Sequence, residues 1–294
     1  MSIGVCGIGR MGAAIVERLI EQGNDVVVWN RTTANCEPMQ AIGADIAASP
    51  ADLAAKCETT LVILTDDIAQ NAVYSGTNGI SSIDLDGRLI IDMSTVPPAA
   101  SQRAAQAVTY ASGAFLECPV GGSVAPAKAG KLLGLAGGND EDFERAKPVL
   151  AQVCRRIEHV GPVGAGAAMK LAVNLPLAVY WEALGEALSI AASSGISKDL
   201  AADILSDTSG TIPVMKPRLE AILSAIDDSG HAPPAFDIAC MIKDLGLMEA
   251  TAEELGVEAP VVRAARGAYE QAGRDGWAER DAATQAAWRV RSTR

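Results

Sequence analysis

Two places in this chain combine residue type and spacing in a way that points to chemistry: Gly7-Ile8-Gly9-Arg10-Met11-Gly12, and the pair Lys170 and Asn174. The first follows a short apolar run, Ile3 to Cys6, that reads as a strand. It leads into Met11, Ile15, Val16, Leu19 and Ile20 at helical intervals, with Gly23 as a left-handed stop. Glycines spaced G-x-G-x-x-G in a strand-to-helix turn have separate tasks. Gly7 permits the tight bend, Gly9 lets backbone N–H groups approach a pyrophosphate, and Gly12 lets the helix pack close on the sheet. The positive helix N-terminus then faces the phosphates. This pattern is expected to hold a dinucleotide.

The second strand, Val26 to Trp29, ends in Asn30-Arg31-Thr32, where the fingerprint places the residue that reads the adenosine ribose. A carboxylate there would bond a free 2′-hydroxyl and repel a 2′-phosphate. Asn30 is neutral and Arg31 offers a planar fork suited to phosphate, so NADP(H) is expected in preference to NAD(H); the alternative is that Arg31 is a solvated loop charge. Lys170 and Asn174, spaced i and i+4, project from one helical face and can present an ammonium and an amide to one small ligand. Apolar neighbours Leu171, Ala172 and Val173 favour a lysine that exchanges protons. Spacing alone equally allows a lysine reaching out from an apolar helix and a locally bonded asparagine.

Composition sets the outer bounds. The chain has 294 residues, 49% hydrophobic and 20% charged, which suits two globular domains. A net charge of -12 argues against nucleic acid or an anionic membrane as partner, so an anionic ligand must be met by local positive groups. The six cysteines are widely spaced, with no CxxC pair, and two histidines do not make a zinc centre; no metal is expected. A first strand beginning at residue 2 leaves no room for a signal peptide, and reduced thiols suit a cytoplasmic location. His159, in a strand-like run, and His231, in a Gly/Pro-rich connection, read as structural or solvated.

Strand and helix segments alternate through the first half, which implies parallel strands with crossover helices. Strand candidates are Thr60 to Leu64, Leu89 to Met93, Phe115 to Val120, Leu132 to Leu135 and Arg156 to Val160, and Ser49-Pro50-Ala51-Asp52 has the form of a helix cap. The glycine-rich segment Gly161 to Gly166 marks a boundary, giving domains 1–162 and 163–294. Beyond it, Ala167 to Ala192, Asp199 to Ser206, Leu245 to Leu255, Ala259 to Ala272 and Ala278 to Val290 read helical. The first of these has the length of a membrane span, which wants about 20 predominantly apolar residues. Lys170, Asn174, Glu182 and Glu186 break it up, and a long helix partly packed on a second subunit suits it better. The expected fold is an α/β Rossmann-type N-terminal domain, a long interdomain helix and an all-α C-terminal domain.

Over essentially its whole length the chain resembles the β-hydroxyacid dehydrogenase family, the group that contains 3-hydroxyisobutyrate dehydrogenase and the glyoxylate/succinic semialdehyde and tartronate semialdehyde reductases. The segments that carry the resemblance are Gly7 to Gly12, Asp92-Met-Ser-Thr95-Val-Pro-Pro98, Phe115-Leu-Glu-Cys-Pro-Val-Gly-Gly-Ser123 continuing to Gly130, Gly166-x-x-x-Lys170-x-x-x-Asn174, and Lys243-Asp244-Leu245. The resemblance implies an NADPH-dependent reductase of a small anionic aldehyde or keto acid, reversibly a dehydrogenase of the hydroxy acid. It assigns Lys170 the proton donation and Asn174, Gly121, Gly122 and Ser123 the substrate. Leu64, Thr65, Thr95 and Lys243 fall where the family contacts the cofactor.

One departure concerns Gly121, where many members have serine in a loop that binds the acid group. Backbone N–H groups of Gly121 and Gly122, with the Ser123 hydroxyl, still offer an anion site in a widened pocket, as in sulfolactaldehyde reductases. Those relatives carry a further arginine that is absent at Gly122. Alternatively, Gly121 is a turn that needs a positive φ angle. An imine reductase is a further relative, one whose members often replace the lysine. Asp92, Asp66, Asp67 and Asp244 read as structural: Asp92 orienting Ser94 or Thr95, Asp66 and Asp67 capping a helix, Asp244 fixing its own helix. The alanine-rich second half suggests a homodimer or homotetramer.

Overall fold

The computed structural model describes residues 2–230 and 233–293; His231 lies outside them. The chain divides into two compact units between Leu171 and Ala172.

The first unit is a sheet of nine strands among the described residues: β1 (Ser2–Cys6), β2 (Asp25–Trp29), β3 (Asp45–Ile46), β4 (Thr59–Val62), β5 (Leu89–Asp92), β6 (Ala114–Glu117), β7 (Val120–Gly121), β8 (Leu132–Gly137) and β9 (Cys154–Gly161). From β3 through β2, β1, β4 and β5 to β6, all neighbours are parallel. Helices α1 (Arg10–Glu21), α2 (Glu37–Ala41), α3 (Pro50–Lys56), α4 (Asp67–Ser75) and α5 (Pro98–Tyr110) fall between these strands. β1 and β4 lie wholly or almost wholly inside, which is why their sequences are continuous apolar or β-branched runs rather than alternating ones. Two cores result. Ile3, Val5, Ile15, Leu19 and Ile91 belong to one, and Leu53, Val62, Tyr74, Ile90 and Val108 to the other.

The purely parallel expectation fails at one side of the sheet. β6 and β7 each pair antiparallel with β8, and β9 runs parallel to β8. Between β7 and β8 the chain makes only the short helix α6 (Val124–Lys128), and a parallel crossover needs roughly a dozen residues or more. The predicted strand Phe115 to Val120 is also interrupted, at Cys118-Pro119, where proline has no N–H to give the ladder. Helix α7 (Asp140–Val153) leads into β9.

The cap signals act as read. Ser49 accepts the Asp52 N–H at 3.0 Å at the start of α3, and Asp66 accepts the Ala69 N–H at 2.7 Å at the start of α4. His159 is held by the Gly138 carbonyl at 2.9 Å and by Asp140, stacked on Phe143.

Helix α8 (Ala165–Ser193) crosses the division and opens the second unit, followed by α9 (Lys198–Ser206), α10 (Met215–Asp227), α11 (Ile238–Glu254), α12 (Pro260–Ala272) and α13 (Gln285–Ser292). Glu182 is buried because Gln285 and Arg289 satisfy it, at 2.8 and 2.6 Å. No helix among the described residues is long and apolar enough to cross a membrane. The predicted helix Ala278 to Val290 is shorter. Asp281 pairs with Asp237, and Ala282–Thr284 form a separate short turn before α13 begins.

Candidate active site

The glycine turn shows three distinct reasons for three glycines. Gly7 has φ +100°, donates its N–H to the Trp29 carbonyl at 2.8 Å, and has no room for a side chain: a Cβ would lie 2.1 Å from the Ile63 carbonyl oxygen. A Cβ on Gly12 would lie 1.9 Å from the Gly7 carbonyl oxygen, so this residue sets how closely α1 meets β1. Gly9 is exposed, and a Cβ there would meet nothing within 4 Å. It precedes α1 in extended geometry, and no side chain caps the helix. The first-turn N–H groups thus face an open space bounded by backbone, a cradle that fits a pyrophosphate.

Asn30 braces this turn. Its Oδ1 accepts the Ile8 N–H at 3.0 Å and its Nδ2 donates to the Thr32 carbonyl at 2.9 Å. Arg31 and Thr32 are exposed on the loop that Asn30 holds, and Arg10 is exposed and Met11 half-buried at the start of α1.

The loops after β4 and β5 are joined through a buried carboxylate. Asp92 Oδ1 accepts the Ser94 N–H at 2.8 Å, and Ser94 Oγ accepts the Leu64 N–H at 3.0 Å. Its other oxygen accepts from Gln70 and from the Tyr74 hydroxyl, both at 2.9 Å. Burial pushes the Asp92 carboxyl above the ordinary carboxylate range, opposed by these donors. Leu64 and Thr95 are half-buried and Thr65 is exposed.

β6 lies beside β5 with Asp92 opposite Glu117. Glu117 is 1% exposed, and its Oε1 accepts three backbone N–H groups, from Gly164 and Gly166 at 2.7 Å and from Ala167 at 3.3 Å. It therefore caps the start of α8 from a different strand. Burial raises this carboxyl too, against the Ser101 hydroxyl and the three N–H donors. Lys170, on the second turn of that helix, is 8% exposed.

Beyond Glu117 comes the loop predicted to take the acid group. Gly121 has no positive φ, and a Cβ there would meet Leu133 at an ordinary 3.5 Å, so the turn reading of this glycine is corrected. The residue that needs the left-handed region is Gly122, at φ +130°. Ser123 precedes α6 without spending its hydroxyl on a cap bond. The intervening Cys118 is buried and its thiol is pushed up by burial.

Since β1, β2, β4, β5, β6 and β7 share a direction, the loops after them emerge at one edge of the sheet, at the strands' carboxyl ends. That edge is where open α/β sheets bind ligands. It gathers Gly7 to Gly12, Asn30 to Thr32, Leu64, Thr65, Thr95 and Gly121 to Ser123.

In the second unit, Asn174 donates to Asp244 Oδ2 at 2.8 Å, and Lys243 pairs with Asp244 Oδ1 at 3.0 Å. Asp244 is 2% exposed and does more than fix its own helix: it ties α11 to α8 and sets the direction of the Asn174 amide. Glu117 is the organising residue that sequence reasoning passed over, and Asp244 was read only as a support for its own helix. Their one sequence signal is a carboxylate set in an apolar stretch without a cation at helical spacing.

Comparison with known proteins agrees with this geometry. Residues 2–161 match the family described as the NAD binding domain of 6-phosphogluconate dehydrogenase, and residues 164–288 match the NAD-binding family of NADP-dependent 3-hydroxyisobutyrate dehydrogenase. Glyoxylate/succinic semialdehyde reductase 1 of Arabidopsis thaliana is 36% identical over 272 residues, 92% of each chain. Human mitochondrial 3-hydroxyisobutyrate dehydrogenase is 30% identical over 253 residues, 85% of this chain and 75% of that one. A crystal structure of 3-hydroxyisobutyrate dehydrogenase from Salmonella typhimurium superposes with a TM-score of 0.85 at 25% identity, covering 97% of this chain and 99% of the other. The chain belongs to the β-hydroxyacid dehydrogenase family of NAD(P)-dependent oxidoreductases.

Proposed function

We propose that this β-hydroxyacid dehydrogenase works as an NADPH-dependent reductase of a small anionic aldehyde or keto acid, of the glyoxylate or succinic semialdehyde type, and runs in reverse as a hydroxy acid dehydrogenase. The observation that carries the reading is a buried lysine, Lys170, on a helix whose first turn is bonded to the same sheet that forms the glycine cradle. Bound nicotinamide supplies the hydride. Lys170 Nζ gives a proton to the carbonyl oxygen as the hydride reaches the carbonyl carbon, and takes a proton back when the alcohol is oxidised. The N–H groups of Gly121 and Gly122 and the Ser123 hydroxyl hold the acid group, and Asn174, its amide fixed by Asp244, steadies the substrate. Arg31, exposed on the loop that Asn30 braces, favours the 2′-phosphate of NADP(H).

Lys170→Ala tests the reading. Turnover of glyoxylate and succinic semialdehyde should fall by roughly 10²- to 10⁴-fold, the usual range for a lost general acid, with the NADPH Kd little changed. Unaltered turnover removes Lys170 from the mechanism.

A second reading concerns the acid. Gly121 is not demanded by the backbone, so the space it leaves favours an acid bulkier than those taken with serine there, including a sulfonate as in sulfolactaldehyde. Likeness to 3-hydroxyisobutyrate dehydrogenases makes a substrate of that type the alternative for the same loop. Lys170 and Asn174 both speak against an imine reductase, and a cyclic imine assayed beside succinic semialdehyde separates the two. Exposed Ile190, Leu200 and Ile204 support association into a homodimer or homotetramer, which light scattering measures.

A further inference from the structure

We infer that Glu117 is a positioning residue that acts through Lys170, an inference that rests on the proposed role of that lysine. A helix start leaves N–H groups without intrahelical partners, and a side chain at the cap position normally takes one. Here the residue ahead of α8 is Gly164, which has no side chain to offer. The carboxylate arrives instead from the end of β6, and one oxygen collects Gly164, Gly166 and Ala167.

The fit around it is close. A Cβ on Gly137 would come within 2.3 Å of that oxygen and one on Gly166 within 3.0 Å, so glycine on both sides gives the carboxylate its place. From Glu117, at the end of β6, the chain passes through Cys118 and Pro119 into β7 and Gly121, and the helix that Glu117 caps reaches Lys170 one turn after Gly166. One buried side chain thus fixes the base of the acid-binding loop relative to the first turn of the lysine helix. In this reading, the proton donor keeps its position relative to the bound acid because both are attached to Glu117. The cofactor cradle is formed by other residues and does not depend on it.

The test is a double-mutant cycle on the full chain, with succinic semialdehyde and NADPH. Glu117→Ala should lower kcat about tenfold or more, leave the NADPH Kd within about twofold, and raise the solvent deuterium isotope effect on kcat as proton transfer becomes slower. Glu117→Gln keeps an acceptor oxygen at the same reach and should recover most of the loss. Glu117→Asp, one methylene short, should not. Glu117→Asp also replaces the alanine variant if that one fails to fold. In a Lys170→Ala background the Glu117 substitution should cost nothing further.

Multiplicative losses in the double variant, a parental kcat in folded Glu117→Ala, or an NADPH Kd that weakens in step with kcat each overturn the inference. These outcomes are separable from failure of the proposed function, which is read from Lys170→Ala alone.

Discussion

Gly9→Ala should separate folding from cofactor binding more cleanly than any other change in the turn. The backbone at Gly9, φ -90° and ψ -165°, is open to alanine, and the added methyl meets no protein atom within 4 Å. Alanine is a poorer cap than glycine but restricts the unfolded chain; these effects oppose each other, each within about 1 kcal/mol, so Tm should stay within roughly 3 °C of the parent. With a pyrophosphate held by the first-turn N–H groups of α1, the methyl would stand in the space the phosphate needs. Loss of one charge-assisted hydrogen bond costs about 1.5–3 kcal/mol, or roughly 10- to 150-fold in Kd. Gly12→Ala is the control: its Cβ would lie 1.9 Å from the Gly7 carbonyl oxygen, and overpacking of this kind costs about 1–3 kcal/mol of stability. Both variants are read by thermal melting and by titration of NADPH fluorescence. An unchanged Kd for Gly9→Ala, or a drop in its Tm as large as that of Gly12→Ala, would refute the assignment of the open face to the dinucleotide.

Arg31→Ala should weaken NADPH far more than NADH in the same titration, and equal losses would mean that this guanidinium does not read the 2′-phosphate. Gly121→Ser should leave Tm unchanged, because an added Cβ meets Leu133 at an ordinary distance, while shifting kcat/KM toward the smaller acids in a substrate panel; an unshifted ranking would detach this position from the acid group. Asp92 has a raised pKa from burial, so its contribution to stability is full below the ordinary carboxylate pKa and is lost as pH rises through the raised value. Asp92→Asn cannot titrate, and the advantage of the parent in Tm should therefore shrink as pH rises from below the ordinary carboxylate range through the raised value; a pH-independent difference would show that Asp92 titrates normally.

The cofactor turn was legible in the sequence because its information is local: strand, glycines and amphipathic helix lie within about twenty consecutive residues. The caps at Ser49 and Asp66 were legible for the same reason. Glu117 was not, since its three partners lie 47, 49 and 50 residues away, and Asp244 meets Asn174 across 70. A run of apolar residues announces a strand but not its direction, which is why the reversal at β8 was missed. Helix α10 went unread because Lys216, Pro217, Arg218 and Glu220 interrupt its opening turns; its apolar face is clear only at Ile222, Ala225 and Ile226. The shortened last helix follows from the Asp237 to Asp281 bridge, a tertiary contact no local pattern records.

The double engagement of Asn30 has a consequence for how such an enzyme drifts between nicotinamide coenzymes. The side chain at the tip of β2 also staples the glycine turn to the loop bearing Arg31. Replacement by aspartate, the change that would favour a free ribose hydroxyl, retains an acceptor for Ile8 but sets a second oxygen against the Thr32 carbonyl, where the amide now donates. Electrostatic repulsion would push that segment outward, so selectivity and loop shape are inherited together, and a switch at this site calls for compensating change at Thr32 or beyond.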